Sequence, residues 1–198
     1  MKIIKPSYLN DKNLISFLLT PFTIFTMLIN FSKNFLIRKK YKIKTICVGN
    51  IYIGGTGKTS LSIQINKILK NKFRTVFVKK RYLDQLDETK MLRANGKLIS
   101  DENRGISLNK AVVKKFDVAI LDDGLQDKKI DYDISIACFN STYGIGNGYL
   151  LPAGPLREKL EILKKYNAIF LVGEKKNKKL SSILKKFNNK IFYSKYVP

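Results

Sequence analysis

The stretch that most narrows what this chain can fold into is residues 44–72, where an apolar run, a glycine turn and a helix-forming segment follow one another without a gap. "KTICVGN" (Lys44 to Asn50) reads as a short buried strand, and "TSLSIQINKILKNK" (Thr59 to Lys72) as a helix with apolar positions at Leu61, Ile65, Ile68 and Leu69. Between them lies "IYIGGTGKTS" (51–60). A strand that hands a glycine turn to a helix N-terminus aims backbone N–H groups and the positive end of the helix dipole at one point, which suits an anion. The turn ends as G-x-x-x-x-G-K-[ST] requires, but Tyr52 stands where the first glycine belongs. Glycines at 54, 55 and 57 still let the backbone approach a phosphate, so Tyr52 affects the loop entrance only. Gly54, Gly55, Thr56, Gly57, Lys58, Thr59 and Ser60 are therefore the candidate phosphate cradle, with Lys58 reaching the β- and γ-phosphates and the Thr59 hydroxyl a Mg²⁺ ligand. The plain alternative is a coincidental glycine turn.

"FDVAILDDG" (Phe116 to Gly124) supports the cradle independently. It is an apolar strand ending in two carboxylates, the arrangement that sets an acid beside Mg²⁺ on a strand next to the loop. Asp122 is the metal-side candidate, and Asp123 faces either the same ion or the turn at Gly124; the simpler alternative is a plain turn. Further strands are expected at Thr75 to Val78, Ile134 to Ala137 and Ala168 to Val172. Alternation of such strands with helical segments points to an α/β fold: a P-loop NTPase-like, mainly parallel sheet flanked by helices.

Composition sets the partners. The 198 residues are 44% hydrophobic, enough for a sizeable core, and 38 basic against 15 acidic residues give a formal charge of +23. Such a chain seeks anions: nucleic acid, an acidic membrane surface or phosphorylated substrates, unless the lysines are simply a solvated surface. Few of the cations are arginine, the better base reader, which argues against specific nucleic-acid readout. Cys47 and Cys138 lie in apolar runs and read as inert buried thiols; histidine, the commonest general base, is absent.

From Asn13 to Ser32 no residue is charged, and Lys33, Arg38, Lys39, Lys40, Lys42 and Lys44 follow. The length is marginal for a span of about 20 apolar residues. At about 100° per residue, Ser16, Thr20, Thr23, Thr26 and Asn30 fall on one narrow face opposite Leu14, Leu18, Phe22, Phe25, Leu28 and Ile29, with Pro21 expected to kink the helix. This favours an amphipathic helix in a membrane interface, its lysine flank on anionic head groups. The alternative is a buried helix of a soluble core.

Three segments together, "VGNIYIGGTGKTS", "LDDGLQDKKIDYDISI" and "GIGNGYLLPAGPLRE", resemble the tetraacyldisaccharide 4'-kinase (lipid A 4'-kinase) family. That family's loop also lacks the first glycine, so Tyr52 fits its pattern. The resemblance implies an ATP- and Mg²⁺-dependent kinase that phosphorylates the 4'-hydroxyl of a lipid A disaccharide precursor, peripheral on the cytoplasmic face of the bacterial inner membrane. Lys58, Thr59, Asp122 and Asp123 would hold ATP and metal, and "LDE" would make Asp87 the base that activates the acceptor hydroxyl, with Glu88 beside it; the bland reading of Asp87 is an exposed helix-start acid. Arg157 and Glu158 would meet substrate or metal, and Asn50 and Gln126 would serve the substrate side.

The departures are specific. Asp127 stands where the family carries histidine, the family's S-R-G-Y-G-G segment is reduced to "KKRYLDQ" (Lys79 to Gln85), and the histidine expected to pair with the catalytic aspartate is absent. The expected organisation is a membrane-associating helix (1–40), a P-loop kinase core (41–160) and the beginning of a second small α/β lobe (161–198), as in a fragment or a degenerate relative. A non-catalytic membrane-associated nucleotide-binding module is the competing reading, and a P-loop ATPase acting on nucleic acid ranks last. Oligomeric state is not legible.

Overall fold

The computed structural model describes residues 6–82, 86–174 and 177–195. Part of the "KKRYLDQ" segment therefore lies outside the described residues. Strands β1 (Lys44–Gly49), β2 (Thr75–Lys80), β3 (Leu98–Asp101), β4 (Val118–Asp122), β5 (Ile134–Asn140), β6 (Ala168–Val172) and β7 (Ile191–Ser194) hydrogen-bond in the order β3-β2-β4-β1-β5-β6-β7. The helices are α1 (Leu14–Leu19), α2 (Thr23–Ser32), α3 (Lys58–Leu69), α4 (Leu86–Asn95), α5 (Arg104–Val113) and α6 (Lys178–Lys185). The chain divides into two compact units: unit 1 is Met1–Leu36, Ile51–Thr56 and Cys138–Pro198, and unit 2 is Ile37–Asn50 and Gly57–Ala137.

Unit 2 is a parallel α/β arrangement. β1 pairs with β4 (Thr45 opposite Ala119, Val48 opposite Asp122), β2 with β4 (Phe77 opposite Ile120), β2 with β3, and β1 with the start of β5 (Gly49 opposite Ala137), all parallel. Parallel neighbours need crossover connections, and the helices supply them. Strands covered on both faces read as unbroken apolar runs rather than alternations, which is why β4 is buried at every position. Ile63, Phe77, Leu92, Val118 and Ile120 form a core cluster, with Ile65, Leu69 and Leu98 packed on it.

The buried face of α3 matches the expected apolar stripe only at Ile65 and Leu69. Ser62, Ile63 and Asn66 point inward, whereas Ile68 is 66% exposed. The two polar residues are tolerated because both are bonded: Asn66 donates to the Asn95 carbonyl (2.9 Å) and accepts from the Thr75 hydroxyl (2.6 Å), and Ser62 meets Asp122.

Unit 1 holds the end of β5, the parallel pair β6 and β7 (Ile169 opposite Ile191), α6, the loop after β5, and the N-terminal helices. Asn13 and Ser16 cap α1 reciprocally, each side chain accepting the other's backbone N–H at 2.9 Å. At Pro21 a 3₁₀ turn (Thr20–Phe22) separates α1 from α2. Within Leu14–Phe35 the most apolar window of 18 residues has mean hydropathy 1.9, and only 6% of it is buried, so among the described residues it is not a buried core helix. The polar stripe is the side that faces protein: Ser16 is buried, the Thr26 hydroxyl donates to the Leu151 carbonyl (2.7 Å) and the Asn30 amide to the Arg157 carbonyl (2.8 Å). Phe17, Phe25, Leu28 and Ile29 are left more than half exposed.

Candidate functional site

The glycine loop runs from unit 1 into the start of α3 in unit 2. Tyr52 is wholly buried, packed with Leu150 and Leu156, which explains a large side chain where the generic loop carries glycine. Its neighbours are stitched to the "PAGPLRE" segment: the Ile53 N–H donates to the Pro155 carbonyl (2.9 Å) and the Arg157 N–H to the Ile51 carbonyl (2.7 Å). That segment is thus the support of the loop entrance. It is itself shaped by Asn147, whose amide donates to the Tyr8 and Ala153 carbonyls and whose oxygen accepts from the Tyr149 N–H. Gly57, with φ of 78°, turns the chain into α3 as its N-cap, a conformation that disfavours any side chain.

Four of the expected residues converge in unit 2. Lys58 Nζ lies 3.8 Å from Asp123 Oδ1, and Thr59 Oγ1 lies 3.3 Å from Asp122 Oδ2. Parallel register delivers this: Val48, near the end of β1, is opposite Asp122, at the end of β4. Asp123 adopts a left-handed conformation (φ 54°), which aspartate tolerates, and its N–H donates to the Val48 carbonyl (2.8 Å). The turn re-aims the second carboxylate toward Lys58. Asn50 and Gln126 meet each other, the Gln126 amide donating to the Asn50 carbonyl (2.6 Å). Asp87 is exposed in the first turn of α4. Arg157 and the buried Glu158 belong to unit 1.

Two cations escaped the sequence reading as site residues. Lys79 is 1% exposed; its ammonium is 3.1 Å from Asp122 Oδ2 and pairs with Glu88. Burial works against charge on Lys79, but Asp122 and Glu88 outweigh it and hold its pKa above the ordinary lysine value. Burial pushes the Asp122 carboxyl upward, and Lys79 opposes that push. Arg104, also buried, donates to the Asp123 carbonyl (2.7 Å) and lies 3.7 Å from Asp127. Each left a faint trace in the sequence: Lys79 is a charge at the end of an apolar strand, and Arg104 is a cation in the first turn of a helix, where the dipole disfavours it. Cys47 lies behind the site, where a Cβ on Gly124 would come 2.8 Å from its sulfur; burial pushes its thiol up to about 12.

The donor set suits magnesium, a hard ion that prefers oxygen, keeps waters and takes only one or two protein carboxylates beside phosphate. Thr59 Oγ1 and Asp122 supply such oxygens, and among the described residues no cluster of three or more His, Cys, Asp or Glu offers a rival all-protein cage.

The family profile described as "Tetraacyldisaccharide-1-P 4'-kinase" matches residues 15–95 and 83–198. A tetraacyldisaccharide 4'-kinase from Pelagibacter ubique (strain HTCC1062) is 48% identical over 204 residues, spanning all of this chain and 65% of that protein. One from Rickettsia akari (strain Hartford) is 32% identical over 217 residues and is covered to 66%. The chain thus spans just under two thirds of the length of these relatives. Among solved structures, LpxK from Aquifex aeolicus, in complex with ATP, superposes with a TM-score of 0.69 at 28% identity, over 80% of this chain and 59% of that one. The hydrogenase maturation factor HypB from Archaeoglobus fulgidus shares the fold alone, with a TM-score of 0.55 at 12% identity.

Proposed function

This chain belongs to the tetraacyldisaccharide-1-P 4'-kinase family, and from that membership we propose that it transfers the γ-phosphoryl group of ATP to the 4'-hydroxyl of a tetraacyl disaccharide 1-phosphate at an anionic membrane face. The observation that carries the reading is the convergence of Lys58 and Thr59, at the start of α3, with Asp122 and Asp123, at the end of β4. In this reading Lys58 neutralises charge on the β- and γ-phosphate oxygens, and the loop N–H groups fix the triphosphate. Thr59 and Asp122 would hold magnesium, which when bound would supply further charge neutralisation on the phosphates. Asp87 takes the proton of the acceptor hydroxyl as the new P–O bond forms and the bond to the ADP oxygen breaks. Asp123 orients Lys58, and Gln126 holds the substrate-side loop to Asn50.

The lipid character of the acceptor is supported within unit 1 by the exposed apolar face of α1 and α2. A groove of about 350 Å³ lies on their other side, lined by Thr20 and Thr23 of the polar stripe together with Met27, Leu150, Leu156 and Lys159. Peripheral attachment at the cytoplasmic face of the inner membrane belongs to the same proposal. The competing reading, a nucleotide-binding module without transfer, draws on one fact: none of the 198 residues is histidine.

The test separates the two. Lys58→Ala weakens ATP binding tenfold or more, about 1.4 kcal/mol or above. Asp87→Ala leaves ATP binding within twofold of wild type and abolishes phosphorylation of the disaccharide acceptor. ATP bound normally by the wild type with no transfer to that acceptor establishes the binding-module reading instead; unaltered ATP affinity in Lys58→Ala removes both.

A further inference from the structure

Lys79 has no role in the reading above, yet it is the most deeply buried cation beside the site. A buried ammonium without partners is prohibitively costly, so the carboxylates that surround it decide where it sits. Two do so, and they come from different elements: Asp122 ends β4 and is itself fully buried, while Glu88 lies in the first turn of α4 with its side chain 45% exposed. A half-exposed glutamate could have stayed in water. Its ion pair with Lys79 draws the first turn of α4 inward.

The rest of α4 shows why this contact matters. Leu92 is its one buried residue among those described, packed in the cluster with Ile63, Phe77, Val118 and Ile120. At the C-terminal end the Asn95 carbonyl accepts from Asn66. Leu86 and Asp87, at the N-terminal end, are exposed. Packing of Leu92 thus holds the C-terminal half of the helix, and the Glu88 ion pair is a tie within its first turn.

We propose that Lys79 is a positioning residue: its ammonium ties the Asp122 carboxylate to Glu88 and so fixes the first turn of α4, with Asp87, to the carboxylate end of β4. The tie rests on geometry; its meaning for Asp87 and for the metal rests on the function proposed above. Two consequences follow. Loss of the tie frays α4 from its N-terminus and leaves α3 intact. It also removes a positive charge 3.1 Å from the oxygen that Thr59 contacts, so a divalent cation meets less repulsion there.

The experiment uses the full chain as wild type, Lys79→Met, Lys79→Arg and Glu88→Gln. Amide hydrogen exchange without nucleotide reads the Lys90 and Met91 amides, whose helical acceptors lie in the first turn. Exchange there rises at least tenfold in Lys79→Met and Glu88→Gln, returns toward wild type in Lys79→Arg, and is unchanged across α3. ATP binding is then titrated with magnesium at fixed pH. The half-saturating concentration falls threefold or more in Lys79→Met and stays within a factor of two of wild type in Glu88→Gln.

Wild-type exchange at Lys90 and Met91 in Glu88→Gln overturns the proposal, and that variant alters only the partly solvated arm, so it decides the matter even if Lys79→Met does not fold. A wild-type magnesium response in Lys79→Met overturns the positioning role as well. If the wild type binds no ATP, the proposed function falls, while the exchange results still decide the tie.

Discussion

Asp133 shows how far one carboxylate can organise this chain. Its Oδ2 accepts from both the N–H and the hydroxyl of the buried Thr45, its own N–H donates back to that hydroxyl, and Lys40 lies 3.1 Å from Oδ1. It thereby sets the start of β1 against the start of β5. Burial raises its pKa, but the bonds from Thr45 and the charge of Lys40 outweigh that and leave it below the ordinary carboxylate value. A depressed folded-state pKa stabilises the fold above the unfolded value, about 3.9, and the contribution is lost as pH falls through the lower folded value. Asp133→Ala therefore costs about 1–3 kcal/mol at neutral pH, the usual range for charge-assisted bonds and an abandoned buried donor. Urea unfolding of both proteins checks this: the gap between them is full at pH 7 and narrows in acid. A gap independent of pH assigns the loss to packing.

At the scale of elements, α1 and α2 invert the usual surface helix. Most amphipathic helices turn apolar residues to the core; here the polar stripe is satisfied by the carbonyls of Leu151 and Arg157, and the apolar side is left outside. Charges on that side should therefore leave folding alone and abolish adhesion to lipid. Phe25→Glu with Leu28→Glu keeps the melting temperature within about 2 °C, as exposed substitutions do, and lowers vesicle affinity at least tenfold in sedimentation. Retained affinity ends the interfacial reading of these helices. The direction of the stripe was legible from its period, but its partner was not, because Thr26 and Leu151 are 125 residues apart. β1, β2 and β6 were legible because strands buried on both faces are continuous apolar runs. β3 and β7 were not: each has four residues and occupies an end of the strand order. The inward face of α3 was legible in part: Ile65 and Leu69 pack on the core, but Ser62 and Asn66 are buried by virtue of bonds to β4, β2 and α4, which no local pattern contains. Lys58, Thr59 and the two aspartates could be found from a loop and a strand end, whereas Lys79 and Arg104 depend on long-range pairing.

For the molecule as a whole, the proposed membrane partner would be met by a formal charge of +23 and by an exposed apolar helix through different physics. Attraction between exposed charges is screened over a Debye length of about 10 Å at 0.1 M salt and about 3 Å at 1 M, while burial of apolar surface is not screened. Binding to anionic vesicles should accordingly fall at least tenfold between about 0.05 and 0.5 M salt and level off at a residual affinity, the same as for neutral vesicles. The residual belongs to the helix, so Phe25→Glu with Leu28→Glu removes it and leaves the salt-sensitive part largely in place. Mixed-sequence DNA offers the phosphates without the apolar phase, and its binding should fall with salt to nothing. If at moderate salt the chain prefers that DNA to anionic vesicles, charge is the dominant attraction and the membrane is not its partner. A residual that survives high salt only on lipid means that the apolar face selects the surface and the lysines only bring the chain to it.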